Sequence, residues 1–184
     1  MSDDREDSGV KRGEMATKPL VPVSEIPRNS KAAEFVRLAA EQLLVLTGQI
    51  SKAASCLKDP DEALPKLLEI QRGVNEVKLL LQVTKIPAQE LDHLDGDASC
   101  VFRAYEKMDD VLVEISDLSL NLEYPFKRTA FLLEAQRLVN EAIVLLQETG
   151  IPKIREEAIF ENGLSFRQFA GEDAGLFTGM ATPG

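Results

Sequence analysis

From Ser30 to Leu57 the residues Ala32, Val36, Ala39, Leu43, Leu46, Ile50, Ala53 and Leu57 follow one another at alternating steps of four and three. That rhythm lays one apolar stripe along a helix of about seven turns. A helix of this kind draws most of its stability from what its stripe packs against. It therefore needs partners along its whole length, and the rest of the chain must supply them. Ser30 is placed to cap it, because a serine hydroxyl accepts a backbone N–H of the first turn. Asp59 and Pro60 end it.

Three further segments answer that demand. Asp59-Pro60-Asp61-Glu62 is a helix-start signature: a carboxylate at the cap, proline at the first position, acids in the first turn. Its stripe is Ala63, Leu67, Ile70, Val74, Val77 and Leu81, with Leu64, Leu68 and Leu80 widening it. Pro65 has no N–H to donate, so the helix is expected either to begin near Leu64 or to carry a distorted first turn. A third helix is predicted over 98–122, capped by Asp97, with the stripe Val101, Tyr105, Met108, Leu112 and Ile115 flanked by Phe102, Val111 and Leu118. A fourth opens at Tyr124-Pro125 and runs to about Thr149. Its stripe is Phe131, Ala135, Leu138, Ala142 and Leu145, with Leu132, Val139, Ile143 and Leu146 beside it. Gly150 and Pro152 stop it.

Short connections after the first and third helices force antiparallel neighbours. The expected fold is therefore all-α: an up-down-up-down antiparallel four-helix bundle over 30–150. A disordered tail is expected over 1–29, where prolines and polar residues leave too little apolar area to offset chain entropy. Val21, Val23 and Ile26 form a weak apolar patch that can pack back across the bundle end. A second, partly disordered tail follows over 151–184, with a short helix expected over 153–161. Gly48 and Gly73 sit inside helices at a cost of about 1 kcal/mol each relative to alanine. Either they allow a close approach or room for a large side chain of the third or fourth helix, or they face solvent.

Charge narrows the function. The formal net charge is −10 and the isoelectric point about 4.7, which argues against tracking nucleic-acid phosphates or anionic membrane surfaces. The positive residues Lys66, Arg72, Lys78 and Lys85 drift along one edge of the second helix, and Lys31, Arg37 and Lys52 along the first. They read as solubilising charge, or as an edge for an acidic amphipathic peptide. No stretch approaches 18 apolar residues, and the N-terminus has no apolar signal core. Cys56 and Cys100 are read as two buried thiols in a reducing compartment, and cytosol or nucleus is the expected location.

Catalytic chemistry finds little to use. The one histidine, His93, lies in the acidic run 90–97. Asp92, His93, Asp95 and Asp97 are conceivable cation ligands, but the glutamate that closes a calcium loop is not at its place. Cys100 with His93 would lack both an oxyanion hole and an orienting group. The third and fourth helices contain no histidine for a di-iron site. No phosphate-cradling glycine loop and no Cys-x-x-Cys occur. The sequence thus assigns no catalytic residue, no cofactor and no metal site.

The second helix ends in Val77-Lys78-Leu79-Leu80-Leu81-Gln82-Val83 followed by Ile86-Pro87, and the fourth reads from Tyr124 to Gln147 with Ala135, Leu138, Val139, Ala142 and Leu145-Leu146. In order and length the helices over roughly 32–148 resemble the focal-adhesion-targeting type of four-helix bundle, and more loosely vinculin and talin rod bundles of the cytoskeleton. The resemblance implies a non-catalytic adaptor, in which leucine- and aspartate-rich amphipathic helices dock into grooves between neighbouring bundle helices. It carries over no individual binding residue, and the C-terminal tail departs from the pattern.

The expected function is a protein–protein interaction module, an adaptor or a subunit of a larger assembly, that binds amphipathic helices or peptides in a groove. Leu68, Leu80, Leu132 and Ile143 are candidate contacts, because they exceed what one minimal seam needs. Phe166, Phe169, Leu176 and Phe177 are candidates in the tail, where glycines alternate with aromatic residues and which docks on its own bundle or on another protein. A self-associating structural bundle, a homo-oligomer, is the alternative. A small enzyme or ligand carrier would need an internal cavity with convergent polar groups, and the stripes offer only Tyr105.

Overall fold

The Ser30 hydroxyl accepts the N–H of Ala33 at 3.2 Å and so caps the first helix. The computed structural model describes residues 25–87 and 95–153. They form α1 (Lys31–Ala54), α2 (Pro60–Gln82), α3 (Gly96–Leu120) and α4 (Pro125–Glu148), with no strand among the described residues. Asp59 caps α2 by accepting the N–H of Asp61 at 3.0 Å, and Pro60 takes the first position. Pro65 lies inside α2 without ending it. The helix begins at Pro60, not near Leu64. α1 stops three residues earlier than its stripe, although Leu57 remains buried in the turn that follows.

Contacts between helices fix every direction. Leu46 and Gln49 of α1 meet Gly73 and Glu69 of α2, and Gln71 and Lys78 of α2 bond Ser116 and Asp109 of α3. Cys100 and Lys107 of α3 meet Glu148 and Glu141 of α4. In each series one number rises as the other falls, so each neighbour is antiparallel. Arg128, at the start of α4, donates to the carbonyl of Leu57 beyond the end of α1. Each helix packs on two others, α1 on α2 and α4, α3 on α2 and α4, and diagonal packing is slight. This is the up-down-up-down bundle expected.

The stripes of α1 and α2 are buried nearly as written. In α1, Ala33 is fully buried in place of Ala32. In α3 the seam is rotated: Ala104 and Val111 are buried, and Tyr105 and Leu112 only flank the core. A bulky residue such as Tyr105 sits at the edge of a tight seam, and the small Ala104 fits inside it. α4 buries more than its stripe, with Leu132, Val139, Ile143 and Leu146 all inside.

Two helix ends are built alike. At the end of α2, Thr84 donates its hydroxyl to the carbonyl of Leu81 and accepts the N–H of Ile86. At the end of α4, Thr149 donates to Leu146 and accepts from Ile151. Between each Thr and Ile lies one residue in the left-handed conformation, Lys85 at φ 65° and Gly150 at φ 64°. Both isoleucines are buried.

The folded unit begins before Ser30. Ile26 is buried, its N–H donates to a carboxylate oxygen of Asp97 at 3.1 Å, and Arg28 donates to the same oxygen at 2.9 Å. A disordered 1–29 therefore does not hold for residues 25–29; residues 1–24 lie outside the described structure. Asp97 is not the cap of α3, a position held by Asp95.

The glycines divide. A Cβ on Gly73 would lie 2.7 Å from Cδ2 of Leu46, so the room serves helix α1 rather than α3 or α4. A Cβ on Gly48 would meet nothing within 4 Å. The cysteines are half-buried, not fully buried, and Cys56 falls in the turn after α1.

Candidate interaction surface

The seam between α2 and α3 is tied at two rungs. Gln71 donates to Ser116 at 3.3 Å, and two turns further along Lys78 bonds Asp109 while its ammonium lies 5.0 Å from the centre of the Tyr105 ring. The hydrogen bond to Asp109 makes the Lys78 ammonium hold its proton more tightly than usual. With these rungs bonded to each other, apolar side chains are left over. Leu64 and Leu68 stand seven and three residues before Gln71, on its face of α2. Val113 and Leu120 stand three before and four after Ser116, on its face of α3. Leu68 is 62%, Val113 57% and Leu120 79% exposed, and Leu64 is exposed as well.

The helical spacing points to only part of this row. Where two apolar residues are adjacent, a stripe does not decide which of them faces inward. Leu64 and Leu68 widen the stripe of α2 in the sequence, yet in the bundle their neighbours Ala63 and Leu67 are the buried ones. Val113 and Leu120 are found by asking which apolar residues of α3 fall off its seam.

The remaining candidates separate sharply. Leu132 and Ile143 are both 0% exposed. They belong to the core of α4, and a partner cannot reach them; their assignment as contacts is corrected. Leu80 is half-buried against the core. Phe166, Phe169, Leu176 and Phe177 lie outside the described residues, as do most of the short helix expected over 153–161 and the Asp92-His93 pair.

Other polar features are committed locally. Arg137 bonds Glu134 and Glu141 on its own helix, which holds the Glu134 carboxyl below the usual range. Lys107 reaches Glu141 at 3.1 Å. Arg137, Glu141 and Lys107 line a shallow cleft of about 510 Å³ between α3 and α4, with Arg103, Asn140 and Val144. Arg37 donates to the carbonyl of Arg28 at 2.8 Å. Burial, then the neighbouring Glu148, pushes the Cys100 thiol up, the opposite of an activated nucleophile. Among the described residues no group of three His, Cys, Asp or Glu side chains is placed to hold a metal ion, and Asp97 is engaged by Arg28 and Ile26. No described helix is long and apolar enough to cross a membrane.

No protein-family model, curated protein or solved structure matches this chain.

Proposed function

We propose that the protein is a non-catalytic interaction module of the cytosol or nucleus, an adaptor or assembly subunit, whose α2/α3 seam receives an amphipathic helix of a partner protein. The observation that carries this reading is the row Leu64, Leu68, Val113 and Leu120 along a seam whose polar rungs are already paired. Single exposed leucines are ordinary on a protein surface, whereas a row at helical spacing on two neighbouring helices is what a docked helix covers. The resemblance to focal-adhesion-targeting bundles supports the same mode and points to a leucine- and aspartate-rich helix.

The test is titration of the full chain, labelled for NMR, with a synthetic leucine- and aspartate-rich amphipathic peptide, together with mass by light scattering. Shifts confined to α2 and α3, abolished by Leu68→Asp in a bundle that still melts normally, are expected. Silence at millimolar peptide overturns the reading. A dimer that Leu68→Asp splits would put a second copy of the chain in the seam instead.

A further inference from the structure

Helices α1 and α3 begin at residues 31 and 96, and α2 and α4 at residues 60 and 125, each pair 65 residues apart. With the chain laid on itself at that spacing, residues 67–87, LLEIQRGVNEVKLLLQVTKIP, fall on residues 132–152, LLEAQRLVNEAIVLLQETGIP, and 14 of 21 positions are identical without a gap. A shared helix period makes residues alike in class, not in identity. Seven of these identities are polar, among them Gln71/Gln136, Arg72/Arg137 and Asn75/Asn140. The matching Thr-x-Ile-Pro ends carry the same hydroxyl bonds and the same left-handed residue. Every buried residue of α2 except Ala63 has a buried counterpart in α4. In α1 and α3 the identities are sparser, but Ala33/Ala98, Val36/Val101, Ala39/Ala104 and Ile50/Ile115 are buried pairs.

We infer that the bundle is a fused dimer of one helical hairpin, 31–87 and 96–152, so that its α2/α3 and α4/α1 seams are two versions of one seam, of which α2/α3 alone carries an apolar row for a docked helix: Leu64, Leu68, Val113 and Leu120 correspond to Thr129, Leu133, Gly48 and Ser55. The docking half of this inference rests on the function proposed for α2/α3. Exchanging the hairpins carries α1·α2 onto α3·α4 and α2·α3 onto α4·α1, the pairs that pack. Leu68, Gln71 and Asn75 recur in the second hairpin as Leu133, Gln136 and Asn140, and Ser116 recurs as Ser51, but there the leucine is half-buried and the glutamine buried. Val113, exposed in the first seam, corresponds to Gly48, whose Cβ direction is open. One buried contact shows the copies diverging in step. Leu46 fills the space over Gly73, while the counterparts are Val111 and Leu138, both buried. A long and an absent side chain in one hairpin become a short and a long one in the other.

Two measurements on the full chain test this. Gly73→Leu should lower the urea midpoint strongly, and adding Leu46→Val, itself destabilising, should return most of the loss by writing the second hairpin's pair into the first. Where Gly73→Leu does not fold, Gly73→Ala with and without Leu46→Val reads the same sign. A double variant no better than its single parent overturns the correspondence. In the NMR titration with the leucine- and aspartate-rich peptide, one site is expected, at α2/α3, removed by Leu68→Asp and kept by Gly48→Arg. A second site at α4/α1, removed by Gly48→Arg, overturns the restriction of docking to one seam and leaves the proposed binding mode standing. Binding at neither seam overturns the docking assignment, while the rescue experiment still decides the duplication.

Discussion

Arg28 and Asp97 lie 69 residues apart in the chain and 2.9 Å apart in the fold, guanidinium to carboxylate. The same carboxylate oxygen takes the N–H of Ile26. One acid of α3 thereby anchors the segment that leads into α1, and closes the end of the bundle at which α1 and α3 begin.

Removing that anchor has a defined cost. Asp97→Ala leaves the buried Ile26 N–H without its acceptor and should destabilise by about 2 kcal/mol. Asp97→Asn keeps an acceptor and loses the charge, and should cost about half as much. Arg28, being half-exposed, contributes less than the N–H does, so Arg28→Ala should fall below about 1 kcal/mol. Urea midpoints compare the three, and an Arg28→Ala loss larger than that of Asp97→Ala would reverse the assignment.

The two helical glycines should respond with opposite signs. Gly48→Ala gains helix propensity in open space and should stabilise by about 0.5–1 kcal/mol. Gly73→Ala sets a Cβ against the side chain of Leu46, and the overpacking should outweigh the same gain, a net loss of about 1 kcal/mol. Thermal melts of both variants settle the contrast. Equal shifts would mean that Leu46 moves aside freely.

Core and seam leucines differ in the same way. Leu46→Ala and Leu132→Ala each empty a filled position and should cost about 2–5 kcal/mol. Leu68→Ala should change stability by no more than about 0.5 kcal/mol. A large loss at Leu68 would show that it is part of the packing rather than of the surface.

Cys100 should be a slow thiol. Burial and Glu148 raise its proton affinity, so less thiolate is present near pH 8 than in a free cysteine. Alkylation by iodoacetamide, followed by mass spectrometry, should be slower at Cys100 than in a short unstructured peptide containing it. The linkage has one sign: a thiol whose folded proton affinity is raised contributes stability below its ordinary titration range near pH 9, and loses it as pH climbs through the raised value. The contribution should be small, because the group is only half-buried.

What the amino-acid order settled by itself is local. Four helices, the caps at Ser30 and Asp59, the stop at Gly150 and the stripes of α1 and α2 follow from hydrogen-bonding groups and spacings within a few residues of one another. The 65-residue repeat is also written in the sequence, although helix boundaries in register are what make it plain. The bundle alone decided the rest. Adjacent residues on a helix differ by about 100° in direction, so a broad apolar face leaves open which of Leu67 and Leu68, or Tyr105 and Ala104, points inward. Neighbouring helices choose, by how closely they can approach. The same neighbours made Gly73 a contact and left Gly48 open, buried Leu132 and Ile143, and left Leu64, Leu68, Val113 and Leu120 in a row facing water. No local pattern specifies that row, because it depends on the rotation of two helices about their own axes, and only packing sets that rotation.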